Sequence, residues 1–209
     1  MSAIREELVF AAIDKAYALT DESIYNNLEK GFKFRKQTIL ADESLMEDEK
    51  LYTIILLDRD VDNYKLIYNE GTKRICENCE DECLATTYCE HCVRNYLKAK
   101  FSKWTSGNND VDNLIQKCQI ETICPESIVE WIPYNNLQNI EYLTKGGYSE
   151  IYTADWINGH YNEWDSKKQR LIRCGTFKVV LKKLENIENA NQSWFEEVCI
   201  LMHLKKACK

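Results

Sequence analysis

CENCEDECLATTYCEHC, from Cys76 to Cys92, decides how the rest of this chain is read. It holds two C-x-x-C pairs, Cys76/Cys79 and Cys89/Cys92, with nine residues between them. Each C-x-x-C turn points two thiolates into one small volume. Two such turns complete a tetrahedral set of four sulfurs, which Zn²⁺ accepts without a geometric penalty. Metal binding supplies the folding free energy that so short a loop cannot draw from an apolar core. Incidental clustering and a redox C-x-x-C are the competing readings, and the doubled spacing favours a structural zinc on Cys76, Cys79, Cys89 and Cys92. Cys83 and His91 stand by as substitutes. Five cysteines for four places make Cys83 the spare.

The same stretch argues about compartment and partners. Ten cysteines in 209 residues could signal disulfides. The N-terminus, MSAIREELVFAAIDKAYAL, carries acidic residues inside its apolar run and has no cleavage-type site, so it does not read as a secretory signal. The thiols are therefore expected to stay reduced, in the cytoplasm, with the nucleus as the alternative. No apolar run approaches the length of a membrane span, so no membrane association is expected. A net charge of -7 disfavours a nucleic-acid partner. Glu77, Glu80, Asp81, Glu82 and Glu90 ring the cysteines and would repel phosphate, although Arg94, Lys98, Lys100 and Lys103 follow.

Upstream, residues 1–70 read as a helical bundle. Ile4, Leu8, Ala11 and Ala12 share a helical face. Thr20 or Asp21 can cap a second helix holding Ile24, Leu28 and Phe32, with Gly31 as a weak point. Ser44 and Glu47 have capping-box spacing and would open a third helix through Leu51, Ile54 and Ile55. Asp60 to Tyr68 suggests a fourth. Downstream of the knuckle (71–95), residues 96–133 form a helical linker: VRNYLKAKFSKW and VDNLIQKCQIE look helical, TSGNND is a turn, and Pro125 and Pro133 bracket a linker or edge strand.

From Asn139 the period changes. IEYLTK, SEIYTADW and GTFKVVLKKL are β-prone, and NQSWFEEVCILMHLKKACK reads as a helix. Between the first two strands lies Gly146-Gly147-Tyr148-Ser149. Small residues there let backbone N–H groups approach a polyphosphate, but a glycine pair is also a common hairpin turn. VVLK ends in Lys182, where a kinase-type V-A-x-K lysine would pair with phosphates.

With these motifs in view, residues 134–209 resemble the start of the small lobe of a protein kinase of the tyrosine-kinase-like serine/threonine group. The chain from about Cys76 resembles fungal kinase-like proteins. WTSGN, EWIPY, KGGYSEIYTA and the insertion marked by Trp156, Gly159, Trp164 and Asp165 carry the match. The resemblance implies that Leu143 and Ile151 roof an adenine, that Val180 lies beside it, and that Gly146, Gly147 and Ser149 belong to the phosphate loop. Lys182 and Glu197 would form the ion pair. Thr144 and Ser149 stand where the family has glycine, so ATP binding is expected to be weak or absent. No H-R-D or D-F-G occurs in the 209 residues, so no phosphoryl transfer is expected from this chain alone. The expected fold is α+β: helical bundle, zinc knuckle, then an antiparallel sheet with one helix. The alternative function is a non-enzymatic zinc-containing interaction or regulatory module. It would capture a protein partner, or self-associate, through the underside of the small lobe.

Overall fold

The computed structural model describes residues 4–21, 23–145 and 149–184. Its contacts divide the chain into two units, Met1–Cys89 and Glu90–Lys209, with the boundary inside the cysteine stretch. The architecture mixes helices with small antiparallel sheets. No described helix is long and apolar enough to cross a membrane.

The first unit opens with α1 (Glu6–Ala18), α2 (Leu28–Leu40) and α3 (Glu47–Tyr68). Ala12, Ala16, Ile39, Leu45 and Leu57 form their core, with Ile13, Phe32 and Ile54 packed against it. Small residues on α1 let the helices approach closely enough to bury Ile39 and Leu57 completely. The caps differ from those expected. Asn27, not Thr20 or Asp21, starts α2: its side chain accepts from Lys30 N at 2.9 Å. Asp21 is occupied by its own turn, accepting from Ser23 N and Oγ. Ser44 likewise turns to Asp42, and α3 is started instead by Glu49, which reaches back to Met46 N at 2.9 Å. The anticipated third and fourth helices are one continuous helix, since nothing between them breaks it.

Of the apolar residues expected on α3, Ile54 packs against the core but Leu51 and Ile55 do not. Glu49, Thr53, Leu57, Val61 and Asp62 are buried, while Leu51 is 62% exposed and Ile55 41% exposed. Three of the five inward residues are polar, and each has a partner. Glu49 takes Arg5 Nε at 2.8 Å and Arg5 Nη2 at 2.6 Å. Thr53 donates to Glu49 O at 2.6 Å. Asp62 is described below with the cysteines. The Arg5 guanidinium, aided by Met46 N–H, holds the Glu49 carboxyl down from its ordinary 4.5 to about 2.

Two short strands follow, β1 (Arg74–Ile75) and β2 (Glu82–Cys83), paired antiparallel. The second unit then runs α4 (Glu90–Lys98), a 3₁₀ turn at Phe101–Lys103, and α5 (Asn109–Ile120), which Asn108 caps by accepting from Asp110 N and Val111 N. Pro125–Ser127 and Tyr134–Asn136 are further 3₁₀ turns. β3 (Leu137–Lys145), β4 (Ser149–Trp156) and β7 (Phe177–Leu184) make an antiparallel sheet in that order. Between β4 and β7 the insertion forms a hairpin of its own, β5 (Tyr161–Asp165) and β6 (Arg170–Arg173).

The insertion motif is structural. Gly159 sits at φ +59, and a Cβ there would lie 2.0 Å from Gly175 O, so only glycine fits. Trp164 and Leu171 are buried, and Trp164 meets Tyr96 of α4 edge to face at 5.6 Å between centroids. Arg173 stacks on Tyr161, pairs with Glu130 and donates to Gly159 O. The expected final helix and its Glu197 lie outside the described residues, as do Gly146 and Gly147.

Candidate metal centre

The first cysteine pair lies on a turn. Cys76 N donates to Asp81 O, and Glu80 N returns to Cys76 O, both at 2.9 Å. To close the turn, Glu80 takes a left-handed conformation at φ 61. This fold of the backbone aims Asn78 N at Cys76 Sγ, 3.4 Å away. The second pair begins just before α4, so that Cys92 lies in that helix's first turn and Cys89 immediately precedes it.

The four sulfurs come together. Ligand atoms of Cys76, Cys79, Cys89 and Cys92 all lie within 4.8 Å of one another, and Cys79 Sγ is 3.7 Å from Cys89 Sγ. A tetrahedron with metal–sulfur bonds of about 2.3 Å has edges of about 3.8 Å. At 3.7 Å, Cys79 Sγ and Cys89 Sγ are far beyond a disulfide bond. Four cysteines that could hold a metal ion are thus assembled from the two pairs expected. His91 is not a member of the group, and Cys83 falls outside the set of four.

The local field favours thiolate. Burial pushes the Cys76 thiol up, but the N–H groups of Cys79 and Asn78, with the neighbouring Cys89 and Cys79 side chains, bring it down to about 7. Cys124 makes the contrast. Ser127 donates to it, yet burial, with the Glu126 charge nearby, pushes it up to about 12.

The loop between the pairs is held by residues that sequence reasoning missed. Asp62 of α3 is fully buried and accepts from Thr86 N at 2.7 Å, Thr87 N at 2.9 Å and Thr87 Oγ1 at 2.8 Å. Arg74 of β1 donates to Ala85 O at 2.9 Å and also to Tyr88 O. Lys65 Nζ reaches Thr86 Oγ1 at 2.9 Å. Leu84, Ala85 and Tyr88 are buried beneath these clamps. The available signal was an aspartate on the inward stripe of α3 and a Thr-Thr pair upstream of Cys89. Glu90, expected in the acidic ring, is buried instead.

The residues expected near nucleotide are distributed as follows. On β4 and β7, Ile151 faces Lys182 and Thr153 faces Val180 across the strands. Directly opposed residues and every second residue share a sheet face, so Ile151, Val180 and Lys182 lie on one side. Leu143 sits at a register shift of β3, between Tyr142 and Thr144. Ser149 opens β4, opposite Leu184. The exposed Lys183 pairs with Glu150 at 3.1 Å.

Compared with protein-family models, curated proteins and solved structures, the chain has no match.

Proposed function

We propose that this chain is the N-terminal part of a protein-kinase-like protein, in which a zinc-bound knuckle is a structural staple and the β3–β4–β7 sheet is the nucleotide-facing sheet of a small lobe. The observation that carries the reading is the placement of Ile151, Val180 and Lys182 on one face of the paired strands β4 and β7. Kinase-like sheets need this arrangement: apolar side chains against a base, and a lysine on the same side to meet phosphate. In full-length relatives the activity would be ATP-dependent phosphorylation of serine or threonine. Zinc suits the cysteine set because four thiolates at tetrahedral spacing satisfy it completely and leave no open position for chemistry.

Titration of the full chain with Mg²⁺–ATP by calorimetry tests the nucleotide reading. Expected is weak binding that Lys182→Met reduces at least tenfold, with no phosphate transfer to protein substrates. Binding indifferent to Lys182→Met, or no heat at millimolar nucleotide, sinks it.

A second reading, an interaction module without catalysis, is favoured by one observation. Leu143 and Val180 are 58% and 67% exposed on the same sheet. Apolar side chains left in water on one sheet are candidates for an interface where they form a continuous patch. The partner would be a protein or a second copy of this chain.

A further inference from the structure

Cys83, left as the spare thiol, is 1% exposed, and it is one of three buried ligating residues that come together: Cys83, Cys89 and Glu90. Their ligand atoms lie within 4.8 Å of one another. This set overlaps the four-cysteine set in Cys89 alone. Cys83 is therefore not a substitute ligand for the first centre, because a substitute would lie within reach of all the remaining members. Two metal positions sharing one sulfur fit these distances; one position with a choice of ligands does not.

We propose that Cys83, Cys89 and Glu90 bind a second thiophilic divalent cation, zinc or a zinc-like ion, joined to the first through a bridging Cys89 thiolate. Two thiolates and a carboxylate are a donor set that such an ion accepts, and water would take its fourth position. Charge supports the pairing. Five thiolates and one carboxylate around two divalent cations leave a net charge of about -2, the same as four thiolates around one. The dipole of α4 favours an acidic residue at its first position, but it does not account for a buried thiol placed beside that residue. On binding, the Cys83 thiol proton leaves to solvent and sulfur donates its electron pair to the metal.

The proposal presupposes that the four-cysteine centre binds metal, and it is independent of the kinase-like reading. Metal analysis of the full chain, followed by Co²⁺ substitution, tests it. Expected are about two ions per chain, and loss of EPR intensity per cobalt as the second site fills, because spins coupled through a shared thiolate pair up. Cys83→Ser and Glu90→Gln should each bind about one ion, keeping the strong thiolate-to-cobalt absorption of the first centre and an uncoupled signal. Wild type saturating at about one ion overturns the second site while leaving the first standing; no metal at all overturns both. Two ions retained by Glu90→Gln and Cys83→Ser, or two ions without spin coupling, would mean an adventitious second ion and also overturn it. If Cys83→Ser fails to fold by circular dichroism, Glu90→Gln and the wild-type coupling decide.

Discussion

Residues 74–92 and the β3–β4–β7 sheet are organised on opposite terms. The knuckle has few apolar residues, yet it buries thiols and the main chain around them, and its loop is fixed by Asp62 and Arg74. The sheet has a regular ladder of eight pairs between β4 and β7, yet Val180 and Leu143 remain outside. In the knuckle, polar and ionic groups are sequestered and must all be satisfied, so each is costly to remove. In the sheet, Val180 and Leu143 stay in water, so their removal costs the fold little. The contrast teaches that burial, rather than hydrophobicity, marks where this chain is sensitive. It also ranks the substitutions.

The largest effect should come from the metal. Structural zinc in comparable small sites contributes about 10–16 kcal/mol of apparent binding free energy at neutral pH. Cys79→Ser removes one of the four sulfurs. It should lose most of the bound zinc and open the 73–94 segment to trypsin, while Cys83→Ser keeps the four-sulfur centre. Chelation of wild type should reproduce the cleavage pattern. Full zinc content in Cys79→Ser would put the ligands elsewhere and end the comparison as drawn.

Asp62→Ala comes next. It strips three hydrogen bonds from one buried carboxylate and leaves Thr86 N–H and Thr87 N–H without that acceptor. Hydrogen bonds to charged groups contribute about 1.5–3 kcal/mol each and are not additive, so a loss of about 3–5 kcal/mol is expected in urea unfolding. A change below about 1 kcal/mol would show that the knuckle loop does not depend on α3.

These two predictions differ in how readily they could be foreseen. The ligands were legible because a knuckle is a local device: spacing along the chain fixes which sulfurs meet. Asp62 and Glu49 were not legible, because a polar residue on the inward face of α3 contradicts the period on which helix reading depends. Leu51 and Ile55 fitted that period better and lie outside. The β5–β6 hairpin was missed for another local reason. Its turn has no glycine or proline; instead Gln169 takes φ 48, and Asp165 Oδ1 accepts from Lys167 N and Lys168 N. Strands β3, β4 and β7 were visible because β-branched and aromatic residues mark them.

Acid sharpens the contrast within the helical region. Glu49 is held at about 2 in the folded chain, chiefly by Arg5, against an ordinary 4.5. A depressed carboxyl contributes stability that is fully present above its unfolded value and is lost as pH falls through its folded value. Stability should therefore decline between about pH 4.5 and about pH 2, and Glu49→Gln should flatten this limb while lowering stability at neutral pH. Asp42, held at about 2 by Ser44 and Lys15, contributes to the same limb, so the flattening is partial. An unchanged acid profile in Glu49→Gln would remove the Arg5 pair from the account.

The smallest effect on folding, and the most informative about the sheet, is expected from Val180→Lys. Val180 is 67% exposed, and its alternating neighbours on β7 are Lys178 and Lys182. A lysine there replaces little buried area, so stability should change by no more than about 0.5 kcal/mol and bound zinc should not change at all. It would, however, place three like charges along one strand face, which repels any surface that docks by apolar contact. If the sheet is an interface between copies, light scattering should show concentration-dependent association in wild type and a monomer in the variant. If the face serves nucleotide instead, wild type should be monomeric and the variant should lose ATP binding, since the new side chain occupies the place of the base. A monomeric wild type whose variant binds ATP as before would deny that face both roles.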